Sequence, residues 1–318
     1  MSNKEILYLI VPCYNEEEVL ADTAKQLTQK LGTLIEDGII SPDSRILFVD
    51  DGSIDNTWGM IYDLHNEQSS AISGLRLATN VGHQNAILAG LFNAVEYCDI
   101  TITIDADLQQ DINAIGHFLD KYHEGNDIVY GIRNTRNTDS FFKKATASLF
   151  YGIMKLLGAK IIKNSADYRL LSKKAIVALM QYNETNLFLR GILPLVGFKS
   201  DVVHFDVKKR LAGTSKYTLA KMFSLALNGI TSFSVKPIRA IMAIGVISFL
   251  ASLIIAIVHA VLYFMGQIPT PGLTTIVLSI WALGGLQLVA IGIVGEYIGK
   301  TYIETKRRPR YEIWEFVK

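Results

Sequence analysis

Two carboxylates at the end of a strand are the residues of this chain best suited to chemistry. Asp105 and Asp107 follow the apolar, strand-like residues 100–104, and Gln109 comes two positions later. In open α/β sheets, ligands gather outside the carboxyl ends of the strands, where hard divalent cations take carboxylate oxygens and substrate phosphates. The pattern therefore predicts Mg²⁺ or Mn²⁺ holding a nucleoside diphosphate. An isolated Asp-x-Asp pair is also typical of a solvated turn or a helix N-cap.

The segments before residue 210 alternate between apolar stretches and stretches of helix length. This alternation predicts a parallel sheet covered by helices on both faces. The predicted strands are residues 6–11, 45–50, 74–78, 100–105 and 127–131. The predicted helices are residues 16–36, 55–68, 83–97, 111–124 and 139–158.

Polar segments follow four of these predicted strands. They are residues 12–17, 50–53, 80–82 and 105–107. Because parallel strands end at the same edge of a sheet, we expect these segments to form one site.

The apolar residues are concentrated in the last third of the chain. Residues 238–264 contain Arg239 but no acidic side chain, and residues 274–295 contain no ionisable side chain. Each stretch is long enough to cross ~30 Å of hydrocarbon as a helix. We therefore predict a catalytic domain over 1–235, a transmembrane hairpin over 236–298 and a basic tail over 299–318. A buried helical hairpin within a large soluble core is the alternative.

Charge and cysteine content restrict the class and the compartment. The net charge of +1 argues against a nucleic-acid binder, and the first residues lack a signal-peptide pattern. Cys13 and Cys98 are the only cysteines, which suits a reducing compartment. Basic residues flank only the outer ends of the hairpin, which predicts cytoplasmic termini and a two-span protein of the inner membrane. They are Lys236, Arg239, Lys300, Lys306, Arg307, Arg308 and Arg310.

Four ordered motifs resemble those of family 2 glycosyltransferases. They are residues 11–17, 50–57, 80–86 and 105–109. More narrowly, the chain resembles polyprenyl-phosphate glycosyltransferases, which include dolichol-phosphate mannose synthases and bacterial enzymes that load undecaprenyl phosphate with a hexose. Residues 295–309 are similar to the bacterial members with two membrane helices.

Two differences from related sequences are informative. The subgroup often continues Asp-Leu-Gln with Asp-Pro or His-Pro, whereas this chain has Gln110-Asp111-Ile112, which leaves the shape of the next turn open. Processive polysaccharide synthases carry Gln-x-x-Arg-Trp, and none of the three tryptophans lies in such a motif. Repeated polymer extension is therefore disfavoured.

The resemblance implies a GT-A (Rossmann-like) fold and a UDP-hexose donor bound with Mg²⁺ or Mn²⁺. The implied metal ligands are Asp105, Asp107 and Gln109. The implied nucleotide-sugar-binding residues are Pro12, Tyr14, Asn15, Glu17, Asp51, Asn80, Asp105, Ala106, Asp107, Arg210 and Lys216. Asp55 is either a helix cap or a ligand contact, and His83 is either a first-turn structural residue or a donor contact.

The acceptor side is implied by basic residues and by an acid-aromatic-arginine element. Arg133 matches the family position that grips the lipid phosphate, a task that suits the planar guanidinium, with Arg136, Lys143 and Lys144 as partners. Asp167 would orient the sugar or act as a base, and Arg169 would brace it or meet phosphate. A buried structural ion pair between the two is the alternative. Residues 142–157 and 219–233 could form interfacial amphipathic helices, although the first also fits a core-facing helix.

The expected reaction is inverting transfer of a hexose, with glucose favoured, from a UDP-sugar to a polyprenyl phosphate. A base is dispensable, because a phosphate monoester with a second pKa near ~6 is already ionised in the cytoplasm. The resemblance also implies a flippase and a downstream transferase, and Gly295 and Gly299 could support a homo-oligomer. Two alternatives remain: a same-fold transferase with a diacylglycerol or protein hydroxyl acceptor, and a noncatalytic nucleotide-sugar-binding scaffold.

Overall fold

The computed structural model describes residues 4–134, 162, 165–184, 189–206, 235–266 and 273–318. The chain divides into two compact units. The first comprises Met1–Tyr151, Lys160–Tyr217 and Arg308–Lys318, and the second comprises Gly152–Ala159 and Thr218–Arg307. The helices expected at 139–158 and 219–233 lie outside the described residues.

The first unit alternates strands and helices over most of its length. The strands are β1 Leu7–Cys13, β2 Arg45–Asp50, β3 Ile72–Leu77, β4 Ile100–Thr103, β5 Ile128–Arg133, β6 Ser165–Ser172, β7 Ser200–Phe205 and β8 Ile313–Val317. The helices are α1 Leu20–Glu36, α2 Thr57–Glu67, α3 His83–Ala94, α4 Ala114–His123, α5 Lys173–Met180 and α6 Leu189–Val196. All five predicted strands and the first four predicted helices are confirmed, with ends that shift by a few residues.

The sheet is mixed rather than parallel. Its strand order is β7-β5-β6-β4-β1-β2-β3-β8. The pairs among β1 to β4 and the pair β5 with β7 are parallel, but β6 runs antiparallel to β4 and β5, and β8 runs antiparallel to β3. The prediction of a parallel sheet was therefore wrong for β6 and β8. Because β6 runs backwards, its beginning lies at the edge where β4 and β5 end.

Strand β1 and helix α1 show how the sequence builds the core. Every residue of β1 is buried, as expected for a central strand covered on both faces. Helix α1 places buried residues at helical spacing along one side. They are Leu20, Thr23, Ala24, Leu27, Leu31 and Leu34. This core holds the loops at the strand ends in fixed positions.

The second unit contains two long apolar helices, α7 Lys236–Phe264 and α8 Leu273–Lys306. Each includes a stretch long and apolar enough to cross a membrane: Lys236–Ile255, with mean hydropathy 2.4, and Ser279–Lys306, with mean hydropathy 1.5. Among the described residues neither stretch is buried, which favours the predicted membrane hairpin over a helical hairpin in a soluble core. Residues 267–272, between the helices, lie outside the described part of the chain.

The segment expected to be a basic tail contains regular structure. Residues 299–306 complete α8, and β8 then joins the edge of the sheet, with Leu75 of β3 opposite Phe316. The guanidinium of Arg310 donates to the carbonyl oxygens of Tyr182 and Glu184, just beyond α5. The chain from Arg308 onward therefore belongs to the first unit. The boundaries predicted at 235 and 298 stay predictions.

Candidate functional site

The loops that follow β1 and β2 are joined by hydrogen bonds through Asn15. Its backbone N–H donates to Ser53 Oγ at 3.0 Å, and its Oδ1 accepts from the Ile54 N–H at 3.0 Å. Asn15 has φ 54°, a left-handed conformation that asparagine tolerates better than most residues. Glu17 adds a second link, because its Oε2 accepts from the Asn56 N–H at 2.9 Å. Both residues were predicted to bind the nucleotide sugar, and they shape the loops at that edge.

Asp51 and Gly52 bring the loop after β2 against the loop after β3. The buried Asp51 carboxylate accepts from the N–H groups of Val81 at 2.8 Å and Gly82 at 3.0 Å. Burial raises the pKa of Asp51, and these two hydrogen bonds oppose the shift. Gly52 has φ +67°, and a Cβ there would lie 2.7 Å from the Asn80 nitrogen. Glycine is therefore required at 52 for the two loops to approach this closely.

The Asp105–Gln110 segment forms a compact turn after β4. The Leu108 N–H donates to the Asp105 carbonyl at 3.2 Å, and the Gln109 N–H donates to Asp107 Oδ1 at 3.2 Å. Gln110 is buried beneath this turn. Its Oε1 accepts from the Asp105 N–H at 3.3 Å, and its Nε2 donates to Asp105 Oδ2. Gln110 was not among the predicted site residues.

The chemistry of this turn fits a hard divalent cation. Burial raises the pKa of Asp105; His83 opposes the shift, whereas the nearby carboxylates of Asp167 and Asp107 add to it. Gln109 Nε2 is buried without a hydrogen-bond partner among the described residues. Those residues contain no group of three or more His, Cys, Asp or Glu side chains that could hold a metal. The two aspartates suit an ion such as Mg²⁺, which usually takes one or two carboxylates and completes its coordination with phosphates and water.

Asp167 is held between two arginines at the start of β6. Arg169 Nη2 donates to Asp167 Oδ1, while Arg190 donates from Nη2 to Oδ2 at 2.9 Å and from Nε to Oδ1 at 3.3 Å. Burial alone would raise the pKa of Asp167. The two guanidinium groups outweigh this effect and hold the pKa well below its ordinary value. Asp167 and Arg169 therefore form a buried ion pair, and the catalytic roles expected for them stay predictions.

Arg190 is a site residue that the sequence analysis missed. It belongs to α6, whose eight residues include no other charged side chain. A single arginine in an apolar helix was the only available signal, and no motif contains it. Arg169, by contrast, was predicted; it is 1% exposed, and its Nε and Nη1 have no hydrogen-bond partner among the described residues.

His83 connects the Asp105 turn with Asp167. The His83 Nε2 atom lies 3.5 Å from Asp105 Oδ1 and 3.8 Å from Asp167 Oδ2. The next residue, Gln84, accepts from the Leu189 N–H at 3.1 Å through its Oε1 and so joins α3 to the start of α6. The beginning of α3 therefore brings Asp105, one of the predicted metal ligands, and the arginine-bound Asp167 into one cluster.

The sequence also matches known proteins. Residues 8–179 match the family described as glycosyl transferase family 2. The chain belongs to this family. It is 51% identical to the uncharacterized glycosyltransferase YkoT of Bacillus subtilis (strain 168), over 98% of this chain and 92% of the relative. It is also 37% identical to a prophage bactoprenol glucosyl transferase homolog of Escherichia coli (strain K12) and 38% identical to the bactoprenol glucosyl transferase of Shigella phage SfV. Each of these two matches covers 96% of this chain and 97% of the relative.

These matches confirm the resemblance to family 2 glycosyltransferases of the polyprenyl-phosphate subgroup. The fold class is α/β of the GT-A type, with a mixed sheet and two apolar C-terminal helices. The N-cap of α2 is Asn56 rather than Asp55, and Asp55 Oδ1 accepts from the N–H of Thr57, the first residue of the helix, so both interpretations of Asp55 stay predictions.

The remaining predicted site residues of the glycosyltransferase differ in exposure. Pro12 is buried within β1, and Ala106 is buried after β4, whereas Tyr14 and Asn80 are exposed at the strand ends. Arg133 is exposed at the end of β5. Five predicted ligands of phosphate groups lie outside the described residues: Arg136, Lys143, Lys144, Arg210 and Lys216. The roles assigned to all these side chains stay predictions.

Proposed function

We propose that this glycosyltransferase transfers glucose from UDP-glucose to a polyprenyl phosphate with inversion at the anomeric carbon. The observation that carries the proposal is the His83 cluster, in which a carboxylate turn suited to a metal-bound diphosphate lies beside an arginine-bound aspartate. The bactoprenol glucosyl transferase relatives, which match over almost the whole chain, support glucose as the sugar and a polyprenyl phosphate as the acceptor.

On the donor side, hydrogen bonds hold the loops that would surround the nucleotide sugar. Asn15 and Asp51 fix the loops that would surround the nucleotide, and the Asp105 turn would hold the diphosphate through Asp105, Asp107 and Gln109. A divalent cation bound there would offset the negative charge that builds on the departing UDP. Because these groups are already oriented in the fold, little reorganisation would be needed during the reaction.

On the acceptor side, the nucleophile is an oxygen of the lipid phosphate, which is already ionised at neutral pH. Asp167 is a poor candidate for a base, because two arginines bind its carboxylate and lower its pKa. We assign Asp167 the role of fixing the guanidinium groups of Arg169 and Arg190 beside the reacting groups. Arg133, exposed at the end of β5, would grip the phosphate.

The membrane arrangement that we propose is two spans with the catalytic domain on the cytoplasmic side. Since β8 pairs with β3, the segments before α7 and after α8 contribute to one sheet, which supports an even number of crossings. Basic residues at both outer ends of the helix pair support the cytoplasmic side. This arrangement would hold the site near the phosphate of a lipid acceptor.

The test is release of UDP by the detergent-purified full chain with Mg²⁺ or Mn²⁺. The donors would be UDP-glucose, UDP-galactose, UDP-N-acetylglucosamine and GDP-mannose, each with and without undecaprenyl phosphate. We expect turnover only with UDP-glucose, the lipid and the metal together, and NMR should show a β-linked glucose in the product, because the glucose of UDP-glucose is α-linked. Turnover that does not require the lipid would contradict the acceptor, and a different preferred donor would contradict glucose.

A further inference from the structure

Gln110 contacts the Asp105–Gln110 turn, which would bind the metal in the proposed function. Both the oxygen and the nitrogen of its side-chain amide take part. The side chain is 1% exposed. Its oxygen accepts from the Asp105 N–H at 3.3 Å, and its nitrogen donates to Asp105 Oδ2. A primary amide carries a donor and an acceptor side by side, so it can bind the backbone and the carboxylate of one residue at once.

This double contact distinguishes the two oxygens of Asp105. Oδ2 is bound by Gln110, whereas Oδ1 faces His83, at 3.5 Å from Nε2. The hydrogen bond to Oδ2 opposes rotation of the carboxylate and so fixes which oxygen is presented to the cluster. Residues that orient a metal ligand in this way commonly tune the affinity of the site.

We propose that Gln110 is a positioning residue that orients Asp105 for the metal-bound diphosphate. The inference rests on the proposed function, and it deepens the assignment of the metal site. It also explains how this chain stabilises the turn after β4, where its sequence differs from that of the polyprenyl-phosphate subgroup. An ionised aspartate, which the subgroup often has after Asp-Leu-Gln, could not donate a hydrogen bond to Asp105.

The test compares three full-length proteins: the natural chain, Gln110→Asn and Gln110→Met. Asparagine keeps the amide but is one methylene too short to make both contacts, whereas methionine fills the space without either polar group. The readout is the dissociation constant of Mn²⁺ in the presence of UDP, followed by the electron paramagnetic resonance signal of free Mn²⁺. We expect the dissociation constant to rise in Gln110→Asn and to rise further, between about tenfold and about a hundredfold, in Gln110→Met.

Asn126→Ala is the matched control for loss of a buried amide. Asn126 is buried in the turn between α4 and β5, and its Nδ2 donates to the Lys121 carbonyl at 2.8 Å. This variant should have a lower melting temperature but an unchanged dissociation constant for Mn²⁺. A purely structural role of Gln110 predicts the same behaviour for both Gln110 variants and would overturn the inference.

The outcomes separate this inference from the function on which it rests. If the natural chain binds no Mn²⁺ with UDP, the metal assignment of the proposed function fails. If it binds and the Gln110 variants bind equally well, only the role of Gln110 fails. If Gln110→Met does not fold, the comparison of Gln110→Asn with the natural chain decides, and equal affinities would overturn the proposal.

Discussion

Arg190 binds both carboxylate oxygens of Asp167, with Nη2 2.9 Å from Oδ2 and Nε 3.3 Å from Oδ1. The two residues come from different elements, since Asp167 belongs to β6 and Arg190 to α6. Arg169 also donates to this carboxylate from within β6. The acidic residue of the acid-aromatic-arginine motif is thus bound on both sides by cations.

The first prediction concerns the stability of Asp167→Asn. The folded-state pKa of Asp167 is lowered, so its contribution to stability is present above the ordinary aspartate value of 3.8 and is lost as the pH falls below it. At pH 7 the variant should lose about 3–5 kcal/mol of unfolding free energy, because the buried Arg169 loses its partner. Between about pH 4 and pH 2 its melting temperature should fall less steeply than that of the natural chain.

The control for this measurement is Asp63→Asn, which neutralises an exposed aspartate on α2. Its melting curve should follow that of the natural chain across the same pH range. Parallel pH dependence in Asp167→Asn and the natural chain would contradict a lowered pKa in the folded state.

The second prediction concerns the metal. Asp107→Asn removes a ligand charge and should reduce UDP release by about a hundredfold or more, with part of the loss recovered at higher Mn²⁺ concentration. The measurement is turnover against Mn²⁺ concentration, again with Asp63→Asn as the charge-matched control. Full activity of Asp107→Asn at low Mn²⁺ would exclude Asp107 as a ligand.

The third prediction concerns the contact between the loops after β2 and β3. Gly52→Ala places a Cβ at 2.7 Å from the Asn80 nitrogen at a φ of +67°, so the loops must move apart at a cost of about 1–3 kcal/mol. We expect weaker binding of UDP by calorimetry and a lower melting temperature. Gly32→Ala, in α1 where a Cβ would meet nothing within 4 Å, should leave both unchanged or raise stability slightly. Equal UDP affinity in both variants would argue against this loop contact as a determinant of the nucleotide pocket.

The fourth prediction concerns the acceptor. Arg133→Ala should raise the KM for undecaprenyl phosphate by about tenfold or more, because it loses a charge-assisted hydrogen bond worth about 1.5–3 kcal/mol. UDP binding should not change, and Arg133→Lys should lie between the two because it keeps the charge but not the planar fork. Lys25→Ala, at an exposed position on α1, is the control. A KM that stays constant in Arg133→Ala would remove Arg133 from the lipid site.

The fifth prediction concerns the edge strand β8. The Arg76 guanidinium lies 5.4 Å from the centre of the Trp314 ring and 5.7 Å from that of Trp58. Trp314→Ala should cost about 0.5–1 kcal/mol, because Trp314 is 68% exposed and the contact is largely solvated. Trp314→Phe should retain most of that stability. Hydrogen exchange at β8 is the second readout, and unchanged protection in Trp314→Ala would contradict a role in holding the strand.

The sequence was informative where local pattern decides structure. Buried strands must be apolar along their length, so the apolar stretches of β1, β2 and β4 were recognisable in the sequence. The polar residues that follow them predicted the edge of the sheet at which the candidate site lies. Strand β6 was missed, since its residues Ser165–Ser172 mix polar and apolar types and its direction depends on distant partners.

Three features of the site depend on contacts that no local sequence pattern reveals. The contact of Arg190 with Asp167 joins residues 23 positions apart, and no local pattern connects them. The binding of Asp51 to the Val81 and Gly82 N–H groups depends on backbone positions, which side-chain motifs do not reveal. Gln110 departs from the motif of the subgroup, and its two contacts with Asp105 depend on how the turn folds.

The pairing of β8 with β3 also constrains the order in which the protein can mature. Since β8 follows α7 and α8 in the chain, the ribosome releases it only after both apolar helices have been made. Until then the edge of β3 carries unpaired backbone groups, a state open to unwanted association. The sheet of the first unit is therefore completed only after the helix pair has been synthesised. Folding of the first unit consequently depends on how α7 and α8 fold.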